Sequence, residues 1–402
     1  MNSPTTHNPW LSRFAVLTAV VTFCLVWIGG LVTSHEAGMS VPDWPTSYGY
    51  NMFFFPFSKW IGGIFYEHTH RLVASTVGLL TAILALWLWA RETSGKIRRN
   101  GMISITTILL VIGGMMGARK TAVFVSIAAC AIGGIIFGLY QIRRTSGLRW
   151  FGIVALSAVI LQGILGGLRV TEMKDELGIF HATIAQMFFV FVSAIALFTT
   201  KFWNNLPAQT ESDRKGLRIF FIAATALILC QLVLGATMRH QHAGLAIRDF
   251  PLAYGKIWPD LDAPALARYN QASADGANQI TALQIVLQMV HRMMAVVISI
   301  LVFTAAIRTH RNFGWPNRLT RMAWLWCLLI ASQFFLGVAT ILTGKSADVA
   351  TAHVAFGALS LLTGGLVSII SFRMLAAPVA QKNAANAKNE LTSFIHSSSI
   401  AR

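Results

Sequence analysis

Apolar stretches long enough to cross a lipid bilayer recur along the whole chain, with short polar connections between them. A helix needs about twenty residues to cross roughly 30 Å of hydrocarbon. Stretches of that length are predicted at 14–33, 70–90, 102–118, 121–142, 150–170, 179–200, 217–237, 285–307, 321–343 and 349–372. The pattern therefore predicts an all-α polytopic membrane protein with about ten spans.

The composition supports this class and excludes others. Of 402 residues, 55% are hydrophobic and only 12% are charged, and the mean hydropathy is +0.61. An ordinary soluble domain carries roughly a quarter charged residues, and a disordered chain carries few apolar ones. The four cysteines fall inside apolar stretches, so they predict neither a disulfide framework nor a CxxC pair.

The net charge of +17 reflects membrane topology and does not indicate a nucleic-acid partner. Lysine and arginine concentrate in alternate connections, a pattern typical of cytoplasmic loops. These residues are Arg91, Lys96, Arg98, Arg99, Arg143, Arg144, Arg149, Lys201, Arg214, Lys215, Arg308, Arg311, Arg318 and Arg321. Both termini are then cytoplasmic, and the long connections 34–69 and 238–284 face outward. The short polar N-terminus predicts a retained first helix and not a cleaved signal.

An internal repeat divides the chain into two similar halves. The segment Gly38–Gly49 is similar to Gly244–Gly255. Gly, Asp, Pro, Tyr and Gly recur in the second segment, each 206 residues later. Each copy begins on the cytoplasmic side, which predicts parallel four-helix repeats related by a pseudo-twofold axis along the membrane normal. The predicted divisions are an N-terminal half 1–200 with an inserted hairpin 102–142, a cytoplasmic linker 201–216, a C-terminal half 217–374 and a polar cytoplasmic tail 375–402.

The hairpin 102–142 belongs to neither copy of the repeat. Its turn is only Ala118-Arg119-Lys120, which would place two positive charges on the outer side. Two further spans or a re-entrant hairpin both fit this pattern, and the sequence indicates no function for it.

Four histidines lie within or at the ends of predicted spans, at repeat-related positions: His70, His181, His291 and His353. Ionisable residues are costly in a membrane and are functional candidates. Each half can present two imidazoles at similar depth, the arrangement that a bis-histidine haem needs. A single intramembrane histidine more often forms a polar contact between helices, but four at equivalent positions favour two haem sites. Zinc is a poorer candidate because cysteine and carboxylate partners at ligand spacing are missing around these histidines.

Glu67 lies one helical turn before His70, and its counterpart before His291 is Gln288. A carboxylate at only one site predicts unequal roles, with acid–base chemistry at the first site and a held redox group at the second. A solvated glutamate paired with Arg71 is an equally weighted alternative. His68 could compete as a ligand, but it points to a different helix face than His70.

Two arginines follow the histidines at the outer helix ends. Arg71 and Arg292 could pair with haem propionates, or they could extend to lipid headgroups. The segments Asp43-Trp44-Pro45 and Asp249-Phe250-Pro251 are typical of turns that carry an interfacial aromatic ring.

Taken together, these motifs resemble the haem A synthase family. The resemblance covers roughly 14–90 and 150–372, and it rests on Glu67-His68-Thr69-His70-Arg71, Leu161–Gly167, His181, His291-Arg292, His353 and the Gly38–Gly49 loop. It implies an enzyme that oxidises the C8 methyl of haem O to the formyl group of haem A by successive hydroxylations. It also implies that His291 and His353 bind a resident haem B, that His70 and His181 receive haem O, and that Glu67 is catalytic.

The chain departs from the family pattern in two ways. Many bacterial members carry a cysteine pair around the Asp-Trp-Pro turn, whereas Val41, Ser47, Ile247 and Ala253 stand at those positions here. Loop thiols therefore cannot take part, and the chain is similar to the cysteine-lacking class. The second departure is the extra hairpin.

The resemblance also implies partners and a location. These are haem O synthase as substrate donor, a role in cytochrome oxidase assembly, an unidentified electron donor, membrane lipid and a homo-oligomer, with no nucleic acid. The absence of an Arg-rich transit segment favours a bacterial inner membrane, with haem sites toward the outer side. A di-haem b-type electron carrier is the alternative function. A transporter built from parallel repeats is a third, supported by the duplication alone.

Overall fold

The computed structural model describes residues 7–118, 120–206, 214–272 and 279–375, and most of these residues are helical. The α-helices are α1 (Pro9–Ser34), α2 (Gly63–Glu92), α3 (Gly95–Met116), α4 (Thr121–Thr145), α5 (Leu148–Glu172), α6 (Asp175–Thr199), α7 (Lys201–Asn204), α8 (Arg214–His240), α9 (Ala263–Ala272), α10 (Ala282–Phe313), α11 (Arg318–Leu342) and α12 (Ala347–Met374). Short 3-10 turns lie in the two long loops, at Met52–Phe54, Phe57–Lys59 and Ala243–Leu245.

Ten of these helices, all except α7 and α9, are long and apolar enough to cross a membrane. The predicted class, an all-α integral membrane protein with about ten spans, is therefore confirmed. Most helices extend beyond the predicted spans because polar interfacial residues continue them. The stretch predicted at 70–90, for example, is the helix Gly63–Glu92. At the start of α1, Asn8 caps the helix by accepting hydrogen bonds from the first-turn N–H groups of Trp10 and Leu11.

The long helices pack in two groups of four. Helices α1, α2, α5 and α6 contact one another in a ring, and so do α8, α10, α11 and α12. Each ring has its own apolar cluster, around Leu11 and Leu84 in the first and around Phe221 and Trp326 in the second. The groups meet along a seam where α12 contacts α1 and α6, and α6 contacts α8. The predicted domain boundaries and pseudo-twofold axis stay predictions.

The inserted hairpin packs on the outside of the first group. Helix α4 lies along α5, whereas α3 makes few contacts and Ile105 is its only buried residue. Both helices are long enough to cross a membrane, at 22 and 25 residues, which favours two spans over a re-entrant hairpin. Arg119 in the predicted turn, residues 207–213 of the predicted linker and nearly all of the predicted tail lie outside the described residues.

The two long loops lie at one end of the molecule, which we call the loop end. Loop 1 joins α1 to α2 and loop 2 joins α8 to α10. At this end the Arg239 Nη2, on the last turn of α8, donates to the Ser34 Oγ on the last turn of α1 at 2.8 Å. The sequence predicts that the loop end faces away from the cytoplasm.

Candidate functional site

All four predicted histidines lie near the loop-end start of their helices, at comparable depth. His70 lies seven residues after the start of α2, and His291 lies nine residues after the start of α10. His181 and His353 each lie six residues after the starts of α6 and α12. At 1.5 Å per residue the four rings are about 9–14 Å along their helices. The structure thus places one histidine pair in each four-helix group, at one level.

A glycine of the adjacent helix lies against each of the four imidazole rings. A Cβ atom built on Gly29 would lie 3.2 Å from the His70 Cε1, and one on Gly166 would lie 3.0 Å from the His181 Cε1. In the second group, the corresponding distances are 3.4 Å for Gly235 with His291 and 3.2 Å for Gly337 with His353. The same contact thus recurs four times, and larger residues would push the rings away from the adjacent helices. The motif Leu161–Gly167, on which the resemblance partly rests, contains one of these glycines.

The two ring nitrogens of each histidine have different surroundings. In all four rings Nδ1 is enclosed by protein and has no hydrogen-bond partner in the described residues. The rings are nevertheless only half-buried, so Nε2 is the nitrogen left accessible in His70, His181 and His291. The His353 Nε2 lies 3.4 Å from the Gln333 Nε2. Nε2 is a usual imidazole nitrogen for binding a metal.

The two histidines of each group lie close enough to interact electrostatically, His70 with His181 and His291 with His353. Glutamines hold the helix backbone at these positions. The Gln162 Nε2 donates to the His181 carbonyl at 2.9 Å, and the Gln231 Nε2 donates to the His291 carbonyl at 2.9 Å. Two paired imidazoles with enclosed Nδ1 atoms form a donor set that fits a bis-histidine haem in each group.

Glu67 is buried and connects α2 to loop 1. Its side chain is only 5% exposed, and its Oε2 accepts the Val41 N–H at 2.8 Å. Its Oε1 accepts a hydrogen bond from the Arg71 Nη2 at 2.7 Å. The two residues, one helical turn apart on α2, form an ion pair. The predicted pairing with Arg71 is therefore present, but the alternative of a solvated glutamate is wrong because loop 1 covers the carboxylate.

Arg71 uses its remaining terminal N–H groups on loop 1. Nη1 donates to the carbonyls of Asp43 and Thr46 at 2.7 and 3.0 Å, and Nη2 donates to the Val41 carbonyl at 2.7 Å. With the bond to Glu67, all four terminal N–H groups have acceptors. The predicted role of Arg71 toward a propionate stays a prediction, and the loop already occupies these donors.

Loop 2 is held in the same way, with glutamine in place of glutamate. The Gln288 Oε1 accepts the Ile247 N–H at 2.7 Å, and its Nε2 donates to the Ile247 carbonyl at 2.9 Å. Arg292 donates to the carbonyls of Leu252 and Asp249 at 3.0 and 2.9 Å. The two loops therefore share an architecture, and the main chemical difference at this position is a carboxylate beside the first histidine pair only.

An aspartate organises the turn in each loop. The Asp43 carboxylate accepts the N–H groups of Tyr48 and Gly49 at 2.6 and 2.8 Å and the Thr46 hydroxyl at 2.5 Å. Asp249 accepts the N–H groups of Tyr254 and Gly255 at 2.9 and 3.0 Å. Burial acts to raise the pKa of Asp43, but these hydrogen bonds outweigh it and hold the pKa below its usual value. The predicted turns are therefore structural anchors of the loops.

His68 belongs to the packing of loop 1 and not to the histidine pair. Its ring is fully buried between Phe55 and Trp60, and Nδ1 lies 3.2 Å from the Ser47 Oγ. This placement agrees with the predicted preference for His70, which lies against Gly29.

One cavity of the protein lies far from the histidines. It has a volume of about 990 Å³ and is lined at the opposite end of the molecule by residues that include Lys201, Asn205, Arg318 and Arg321. None of the predicted site residues lines it. The contacts of the histidines therefore define the candidate site better than cavity size does.

Comparison with known proteins agrees with this arrangement. Residues 115–364, more than half of the chain, match the COX15-CtaA family, described as cytochrome oxidase assembly protein. The chain is 26% identical over 345 residues to heme A synthase of Halalkalibacterium halodurans, covering 85% of this chain and 91% of that protein. It is 25% identical over 361 residues to heme A synthase of Alkalihalophilus pseudofirmus, covering 88% and 96%. It is 24% identical over 371 residues to heme A synthase of Rhizorhabdus wittichii, covering 89% and 93%. The predicted resemblance is confirmed, and the chain belongs to the COX15-CtaA family of cytochrome oxidase assembly proteins, the haem A synthase family.

Proposed function

We propose that the protein is a haem A synthase, an oxidoreductase that converts the C8 methyl of haem O to a formyl group by successive hydroxylations. The observation that carries the proposal is the arrangement of the two histidine pairs. Both pairs lie at one level against repeat-related glycines, but a carboxylate, Glu67, accompanies only the first. The names of the similar proteins, heme A synthase, agree with this assignment.

In this proposal His291 and His353 would hold a resident haem B. Their donor set fits the group because both Nδ1 atoms are enclosed and both rings lie against a glycine. Haem B, when bound, supplies a redox-active iron for electron transfer. The hydrogen bond that the Gln231 Nε2 donates to the His291 carbonyl holds α10 beside α8 and so orients the ring.

The first pair, His70 and His181, receives the substrate haem O. Glu67 lies one helical turn closer to the loop end than His70, on the same face of α2. Its carboxylate is held at both oxygens, by the Val41 N–H and by Arg71, so it has a defined position at the border of the first site. We assign it the proton-transfer role beside the substrate, a role that the amide of Gln288 cannot take.

A di-haem b-type electron carrier would use the same four histidines. It predicts two retained haem B groups and no modified haem. The difference between Glu67 and Gln288 favours the enzyme, because two electron-transfer haems do not require a carboxylate at one site only.

The test is co-expression with a haem O synthase, followed by extraction and chromatography of the haems. We expect hydroxylated haem O and haem A with the wild-type chain, and neither with His70→Ala or Glu67→Gln. Folded wild-type protein that retains haem B but yields only haem O would refute the enzymatic function. Two haem B groups per chain without modified haem would establish the carrier instead.

Location and partners are part of the same proposal. The basic residues in alternate connections support both termini in the cytoplasm and the loop end outside, and the membrane in this proposal is a bacterial inner membrane. Haem O synthase would supply the substrate, and haem A would be passed on for cytochrome oxidase assembly.

A further inference from the structure

A half-buried positive charge lies at the loop end, near the first histidine pair and near Arg239 of α8. Arg169, on the last turn of α5, packs its guanidinium over the backbone of loop 1. A Cβ atom built on Gly38 would lie only 2.7 Å from the Arg169 Nη2, and one on Gly178 would lie 3.2 Å from its Nε. The side chain is therefore enclosed by α5, α6 and loop 1.

Unlike the other arginines of this region, Arg169 has no hydrogen-bond or ion-pair acceptor among the described residues. Arg71 has four acceptors, and Arg239 donates to the Ser34 Oγ at 2.8 Å. None of the Arg169 nitrogens is fully enclosed, so they can still reach a ligand. A guanidinium that is largely removed from water and has no anion is costly, which indicates that something else supplies the acceptor.

None of the charged groups described around Arg169 supplies the missing acceptor. Arg169 interacts electrostatically with His70, His181 and Arg239, and with the acids Glu67 and Asp175. Glu67 already bonds to Arg71 and Val41, and Asp175 lies 3.4 Å from the His240 Nδ1 on an exposed edge. Two arginines thus lie near each other without a carboxylate bonded to either.

The position of Arg169 relates it to the first site specifically. It lies three residues after Gly166, the glycine beneath His181, and so about 4.5 Å nearer the loop end on the same side of α5. Gly337 occupies the place of Gly166 in the second group, and the residue three positions later is Thr340. Gly244, the counterpart of Gly38, has nothing within 4 Å of a built Cβ. The second site therefore lacks this charge.

We propose that Arg169 binds a propionate carboxylate of the tetrapyrrole held between His70 and His181. This inference rests on the proposed function and extends it by naming the group that orients the substrate. A propionate is an anion that a haem carries at one edge, and a guanidinium binds a carboxylate through two parallel hydrogen bonds. The anchor would fix the substrate's rotation about the axis through the two histidines, because it holds one edge of the ring at the loop end.

The test uses the purified full-length protein with its resident haem and titrates the first site with haem B and, separately, with haem B dimethyl ester. The ester has the same ring but no carboxylate charge. Binding is followed by the absorbance difference of bis-histidine ligation. We expect wild type to bind the acid more tightly than the ester, and Arg169→Gln to weaken acid binding about tenfold to a hundredfold, as for loss of a charge-assisted hydrogen bond.

Ester binding should be unchanged in Arg169→Gln, and Arg169→Lys should restore part of the preference for the acid. Thr340→Ala, at the corresponding position of the second group, is the matched control and should behave as wild type. The resident haem spectrum of each variant verifies that it is folded. If Arg169→Gln lowers ester and acid binding equally, the residue has only a structural role and the proposal is wrong.

The same titration separates this inference from the proposed function. His70→Ala should abolish binding of both probes at the first site. Suppose that it does, but that the Arg169→Gln variant still binds haem B more tightly than its dimethyl ester, as wild type does. Then only the propionate assignment is wrong. If His70→Ala binds both probes normally, the first site itself is misassigned and both proposals fail.

Discussion

Replacement of Glu67 by glutamine removes one negative charge while keeping nearly the same shape. The second group shows how glutamine fits this position, because the Gln288 Oε1 accepts the Ile247 N–H just as Glu67 accepts that of Val41. Glutamine at 67 should therefore keep the loop contact. Arg71 would lose its anion but retain three carbonyl acceptors in loop 1.

The effect of each substitution on the free energy of unfolding follows from these contacts. Glu67→Ala leaves the Val41 N–H without its acceptor, which costs about 1–3 kcal/mol. It also breaks a buried ion pair, for which about 3–5 kcal/mol is usual. Loop carbonyls still accept hydrogen bonds from Arg71 in both variants. We therefore expect the free energy of unfolding to fall by roughly 3–4 kcal/mol for alanine and about 1 kcal/mol for glutamine. At roughly 2 °C per kcal/mol for a long chain, alanine should lower the Tm several degrees more than glutamine.

The loss of activity should not follow the loss of stability in these two variants. Loss of a positioned acid–base group lowers a rate by about 10²–10⁴-fold, so both variants should form almost no haem A per folded protein. The assay is haem extraction from co-expressing cells, normalised to folded protein by the haem B spectrum. Gln288→Ala is the matched control: it removes the equivalent loop contact and should lower the Tm, yet it should still yield product. Wild-type rates of haem A formation in Glu67→Gln would refute the need for the carboxylate.

Three further predictions concern the second site and loop 1. His291→Ala and His353→Ala should each abolish the haem B absorbance of purified folded protein, and an unchanged spectrum would show that the axial ligands are misassigned. Gly337→Val should shift or remove that absorbance because its Cβ would lie 3.2 Å from the His353 Cε1, whereas Gly114→Val, with nothing within 4 Å, should leave it intact. The folded-state pKa of Asp43 lies below 3.8, so its charge stabilises loop 1 above that pH, and the contribution is lost as the pH falls from 3.8 through the lower folded-state pKa. Limited proteolysis of the loop against pH should show this loss in wild type but not in Asp43→Asn, and identical profiles would contradict it.

Sequence pattern was sufficient for the spans, and it indicated the candidate site residues. A membrane helix satisfies its own backbone hydrogen bonds and must be apolar over about twenty residues, so its signal is local and readable. The duplication placed His70 and His291 at equivalent positions, and it made Glu67 and Gln288 comparable without any structure. These features depend only on residue type and spacing along the chain.

Contacts between distant segments were decided only by the tertiary structure. The burial of Glu67 depends on loop 1 folding over α2, and the glycine beneath each histidine comes from another helix, so neither follows from the spacing within one helix. The role of Arg169 depends on what surrounds it, since a sequence marks an arginine as basic but does not reveal whether an acceptor lies within reach. Hydropathy and repeats therefore determined which helices and histidines this protein has, while side-chain packing between helices decided which charges are satisfied and which remain available for a ligand.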